Sequence, residues 1–153
     1  MKLYRLTKAI YSKDLSGKGA EIAGGRWNSK GVAMLYTAQS IALATTEIAV
    51  HVPLGILPKG YVAITYELPK EIKIEELKKI ELPNDFSSIP YSHSTQVIGD
   101  KFILNKKNLV MKVPSVVVPG DYNFLINPDH QAINNLVIVD IIPYEFDRRL
   151  FFR

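Results

Sequence analysis

The sequence predicts a single α+β domain built on a mixed sheet. Three observations lead there. Strand-like segments outnumber helical ones, and they do not alternate with helices as a βαβ fold requires. The 153 residues contain no internal repeat, low-complexity tract or flexible Gly/Ser linker that would mark a boundary, so residues 1–153 read as one unit. That length is enough for one hydrophobic core without metal or disulfide staples.

The elements follow in order. KLYRL (2–6) reads as a first strand, and residues 12–25, rich in Ser, Lys and Gly, read as a loop. VAMLYTA (32–38) is a strand of β-forming and aromatic residues. Ser40 is placed to cap a helix over residues 41–52, stopped by Pro53. On that helix Ile41, Ala44, Thr45, Ile48, Ala49 and Val52 form one stripe, opposite Leu43, Thr46, Glu47 and Val50. Neither side is strongly charged, so most of its circumference is expected to be covered. YVAITYEL (61–68) alternates as a strand, and EIKIEEL is a candidate for another. PNDFSSIPYSHS (83–94) is a loop, and residues 95–107 read as a helix with Gly99 as its weak point. Residues 109–120 read as a strand pair or a strand kinked at Pro114. DYNFLINPDH (121–130) reads as a loop, and residues 134–147 hold a β-branched final strand.

Composition excludes several functions. There are no cysteines, which removes disulfides and thiolate chemistry and fits a reducing compartment. The N-terminal segment has no apolar run long enough for a signal peptide or a membrane span, so the expected location is the cytoplasm. A net charge of +4 invites a nucleic-acid reading. The lysines are scattered, however, with adjacent pairs only at Lys78-Lys79 and Lys106-Lys107, and direct nucleic-acid binding is not expected. No GxxxxGK[ST], GxGxxG, HExxH or GxSxG motif is present, and His51, His93 and His130 lack metal-site spacing.

Five residues remain as candidates. Glu47 is the only charge in IALATTEIAV, and burying a carboxylate costs several kcal/mol unless it is paired or hydrogen-bonded. It either meets water at an open edge of the helix or faces a ligand. Arg26 follows Gly24-Gly25 and precedes Trp27, where it could grip a phosphate or stack on its neighbour in a surface turn. Tyr36, at a strand end, is either a core aromatic with its hydroxyl at the rim or part of a site. Ser115 reads as an ordinary strand residue and Asn127 as a turn-former before Pro128.

The ordered set LYRL (3–6), GGRWNSKG (24–31), LYTA (35–38), ALATTE (42–47), STQVIGDKF (94–102), VPSVVVPGDYNFLINPDH (113–130) and FDRRL (146–150) spans nearly the whole chain. It resembles the RES domain, the toxin of bacterial toxin–antitoxin pairs whose partner is an Xre-type DNA-binding antitoxin. Phe102 departs from the pattern, standing where many relatives have Trp.

The resemblance implies a fold related to ADP-ribosyltransferases and destruction of cellular NAD, which is substrate rather than cofactor. It implies Arg26, Tyr36 and Glu47 as the catalytic set, converging on one cleft, with Ser115 and Asn127 joining Arg26 and Tyr36 in substrate binding. In that picture Glu47 holds the ribose and stabilises its developing charge, Tyr36 stacks on the nicotinamide or its ribose, and Arg26 clamps the pyrophosphate or a neighbouring polar group. The acceptor stays open between water, phosphate and a protein side chain. A non-enzymatic nucleotide- or antitoxin-binding domain is the alternative, and homodimer formation is left open.

Overall fold

In the computed structural model, which describes residues 1–152, seven strands form one sheet in the order β4-β5-β6-β2-β1-β3-β7. The strands are β1 (Lys2–Lys8), β2 (Leu35–Ala38), β3 (Tyr61–Glu67), β4 (Ile74–Glu76), β5 (Val110–Pro114), β6 (Tyr122–Ile126) and β7 (Val137–Tyr144). Only β4 and β5 pair in parallel, which makes the sheet mixed. Three α-helices accompany it: α1 (Lys18–Ala23), α2 (Ile41–Ala49) and α3 (His93–Asn105).

Side chains alternate across a strand, so the registers sort residues by face. Tyr4 faces Ala38, Ala38 faces Asn123, and Asn123 faces Val113. Those residues, with Leu6, Tyr36, Leu125 and Met111, therefore share one side of the sheet. Leu3, Leu35, Ile64, Val110, Phe124 and Ile126 occupy the other side. There they form a core closed by Leu15, Ile72, Ile133 and Leu136 from the connecting loops.

The first side carries two separate apolar clusters. Leu6, Ala38 and Ala63 pack with Leu43 and Ala44 of α2 and with Phe146 and Phe151 from the C-terminal segment. Met111, Val113 and Leu125 pack with Trp27, Met34, and Phe102 and Ile103 of α3. The two groups sit toward opposite ends of the same face, and the strip between them is not filled by either. Phe102 is a buried member of the second cluster.

Most expected elements are present with shifted ends. Ser40 caps α2, its Oγ accepting from the Leu43 amide at 3.0 Å. That helix stops at Ala49, and residues 50–52 form a turn before Pro53. The stretch 12–25 is not all loop, because α1 forms within it. The strand expected over residues 32–38 begins only at Leu35, and the segment 109–120 is one strand ending at Pro114 followed by a turn.

The largest difference is at residues 121–130, expected as a loop. Residues Tyr122–Ile126 form β6, paired with β2 on one side and β5 on the other. Asp121, Asn127, Pro128 and Asp129 are turn-formers that flank a strand of only five residues, and one of its two ladders comes from β2, far back in the chain.

Gly99, expected as a weak point of its helix, is a point of close approach. A Cβ there would stand 1.7 Å from the Trp27 carbonyl oxygen, so α3 can seat against the 25–28 loop only without a side chain at that position. Gly99→Ala should lower stability by about 3 kcal/mol, the severe end of overpacking, measured by urea unfolding against the parent chain.

Candidate active site

The unfilled strip between the clusters is a cleft of about 1010 Å³. That is at the upper end of the ~300–1,000 Å³ typical of ligand pockets. Tyr4, Tyr36, Ala38 and Asn123 line it from the sheet. Ala44, Glu47, Ile48 and His51 line it from α2 and the turn after it. Gly24, Gly25, Arg26 and Trp27 contribute from one loop, and Ile89, Pro90 and Tyr91 from another.

Glu47 is held from outside its own helix. Its Oε1 accepts a hydrogen bond from Ser115 Oγ at 2.8 Å and a second from Asn123 Nδ2 at 2.6 Å. Ser115 Oγ in turn accepts from the amides of Val117 at 3.1 Å and Val118 at 3.0 Å, which leaves its one proton for the carboxylate. The Ser115 amide donates to the Asp121 carbonyl at 2.9 Å, closing the β5–β6 connection that places both donors. The helix is fixed independently, because Thr45 Oγ1 and the Tyr144 hydroxyl lie 2.6 Å apart.

Tyr36 organises the opposite wall. Its hydroxyl donates to Asn28 Oδ1 at 2.7 Å and accepts from the Trp27 amide at 3.1 Å. Burial pushes the phenol above its usual range, opposed first by the Trp27 amide, so it remains a neutral donor. Asn28 is fully buried, and its Nδ2 donates to the carbonyls of Ala20 at 2.8 Å and Val32 at 2.9 Å. Thr95 Oγ1 donates to the Arg26 carbonyl at 2.6 Å, and Gln96 Nε2 to those of Gly25 at 3.0 Å and Asn28 at 3.2 Å. A Cβ on Gly25 would lie 2.7 Å from the Tyr36 hydroxyl, which is why glycine precedes the arginine.

Arg26 is half-buried at the cleft, and its Nη1 donates to the carbonyls of Phe86 at 2.7 Å and Ser88 at 3.1 Å. Its guanidinium lies 6.0 Å from the centre of the Tyr91 ring. Burial draws its pKa below the usual range, while Glu47 acts in the opposite sense. It stays protonated at any working pH. One end of the fork is thus engaged by the 83–92 loop.

Three of the expected residues, Arg26, Tyr36 and Glu47, therefore line one cleft, and Ser115 joins them through Glu47. Asn127 does not. It is fully buried, its Nδ2 donating to the Ile103 carbonyl at 2.9 Å and its Oδ1 accepting from the Asp129 amide at 3.0 Å. Both ends of its amide tie the end of β6 to α3 and the following turn, so the expected substrate contact is replaced by a structural one. Asn123 was missed by sequence reasoning. A lone amide in YNFLI, on the same strand face as Leu125, is the signal that could have found it.

Comparison with known proteins places these observations in a family. A model described as "RES domain" matches residues 2–147. The chain belongs to the RES domain family. A Sphingobium sp. (strain YBL2) protein named "Prs ADP-ribosylating toxin" is 35% identical over 90% of this chain and 86% of its own length. A protein named "Toxin Res" from Yersinia enterocolitica is 34% identical over 98% of this chain and 99% of its own length. Among solved structures, a chain of the M. tuberculosis MbcT–MbcA toxin–antitoxin complex superposes with a TM-score of 0.72. That match covers 98% of this RES chain and 86% of the other at 20% identity, and it shows a shared fold.

Tyr36→Phe strips the partner from the Trp27 amide and from Asn28 Oδ1. It should cost about 1–3 kcal/mol, the range for leaving buried polar groups unpaired, read as a lower denaturant midpoint at unchanged slope.

Proposed function

We propose that this RES domain is the toxin of a toxin–antitoxin pair, and that its cleft breaks the bond between the ribose C1′ and the nicotinamide nitrogen of NAD. The observation that carries this reading is a single carboxylate, Glu47, fixed through one oxygen by Ser115 and Asn123 in a cleft that also holds Arg26 and Tyr36. The relatives named "Toxin Res" support the biological role.

The chemistry suits one carboxylate. In NAD the leaving nitrogen is already positive, so the C1′–N electron pair departs onto the ring and nicotinamide leaves neutral. No general acid is required, unlike ordinary glycosides, which are hydrolysed by a pair of carboxylates. Positive charge develops on the ribose, and Glu47 stabilises it and holds the ribose hydroxyls. The Tyr36 hydroxyl is engaged with the 25–28 loop, leaving its ring face to pack on the nicotinamide side. Arg26 keeps Nη2 and Nε for the pyrophosphate while Nη1 anchors the 83–92 loop.

An acceptor then takes C1′, and when it is water or phosphate its proton passes to solvent. Transfer to free water or phosphate is the first reading, making the protein an NAD glycohydrolase or phosphorylase. Transfer to a protein is the second, favoured by the printed name of the Sphingobium relative. An Xre-type antitoxin that covers the cleft is the expected partner.

Purified chain should consume NAD and release nicotinamide, and Glu47→Gln should retain its melting temperature while losing at least about 100-fold in turnover. Acceleration by added phosphate, with ADP-ribose 1-phosphate as product, identifies a phosphorylase, and label from NAD on protein identifies a transferase. Unchanged turnover in Glu47→Gln overturns the proposed role.

A further inference from the structure

Both donors that reach Glu47 converge on the same oxygen. Ser115 Oγ and Asn123 Nδ2 lie 2.8 and 2.6 Å from Oε1, and among the described residues none donates to Oε2. Glu47 lines the cleft, and its Oε2 is not among the buried polar atoms lacking a partner, so that oxygen is open to whatever the cleft holds. The two donors differ in kind. Ser115 belongs to the 115–118 turn, where its Oγ also caps two amides. Asn123 stands in the middle of the sheet, opposite Ala38 on β2 and Val113 on β5, so its Cβ position is set by two strand ladders at once. Its amide gives the shorter of the two bonds, and it too lines the cleft.

We infer that Asn123 is a positioning residue for the reaction, holding the Glu47 carboxylate in the single rotation that presents Oε2 to the ribose of the substrate. The inference rests on Glu47 being the catalytic carboxylate. Without the amide donor, the one remaining bond from Ser115 permits the carboxylate to turn about its terminal torsion, which is broad for Glu. A misplacement of about 1 Å at such a group can cost about 100-fold in rate. The other charged and titratable side chains of the residues lining the cleft are Arg26, Tyr36 and Tyr91 across it, Tyr4, Arg5 and Tyr61 from the sheet, and His51 from the turn after α2. None of them donates a hydrogen bond to the carboxylate among the described residues.

The discriminating comparison is between a truncation and an isostere. If Asn123 merely fills space in β6, Asn123→Asp, of equal shape, is milder than Asn123→Ala. If it works as a donor, Asn123→Asp is the worse variant, because it replaces the donor with a second anion beside Glu47. We expect kcat for NAD cleavage to fall about 10-fold in Asn123→Ala and about 100-fold or more in Asn123→Asp, with KM changed less than about 3-fold in either.

A thermal measurement runs beside it without reference to activity. Asn123→Asp should lower Tm in the parent chain, and adding Glu47→Gln should restore most of that loss, since the side-chain amide introduced by the second substitution can donate to the new carboxylate. Asn123→Asp milder than Asn123→Ala in kcat, or an Asp penalty in Tm that persists with Glu47→Gln, overturns the inference. Wild-type chain that leaves NAD intact overturns the functional reading and the catalytic part of this inference together. In that case the melting pair alone decides whether Asn123 locks the carboxylate.

Discussion

The site depends on how a carboxylate is kept half-buried on an otherwise uncharged helix. Glu47 has no partner within its own helix, so the donors to its Oε1 come from elsewhere in the fold. The β5–β6 connection supplies them, a hydroxyl whose lone pairs are already committed to two backbone amides and a side-chain amide fixed in the sheet. Donors that are oriented before substrate arrives do not need to reorganise during the reaction. The strand order serves this contact, because β6 lies beside β2 and brings Asn123 within hydrogen-bond distance of Glu47 on α2.

The facing wall is organised by a neutral phenol. The Tyr36 hydroxyl holds Trp27 and Asn28, Asn28 holds Ala20 and Val32, and the first turn of α3 holds the carbonyls of Gly25, Arg26 and Asn28. Arg26 extends this network to the 83–92 loop, bringing Tyr91 to the cleft. Each wall therefore packs on its own apolar cluster, and the gap between clusters is the cleft. This division of one sheet face explains why a domain of this size can hold so large a cavity.

Much of this was legible in the residues. The cap at Ser40, the isolated charge at Glu47, the glycine pair before Arg26 and the aromatic at the end of LYTA are local patterns with local causes. Strand β6 was not legible, since five residues between turn-formers give too little periodicity and one of their two ladders comes from β2, far back in the chain. Asn123 went unseen with it. Asn127 and Gly99 do more than their local patterns show: Asn127 makes its turn with Asp129 and also reaches Ile103, and Gly99 admits the Trp27 carbonyl.

The sequence by itself determined the mixed α+β class, the family and three residues of the cleft, because capping, alternation and motif order are written in neighbouring residues. Only the tertiary structure decided that Arg26 shares its fork with a loop some sixty residues away, that Asn127 is a structural post, and that Asn123 shares Glu47 with Ser115. Those outcomes depend on hydrogen bonds between segments far apart in the chain, and their geometry exists only once the sheet has been assembled.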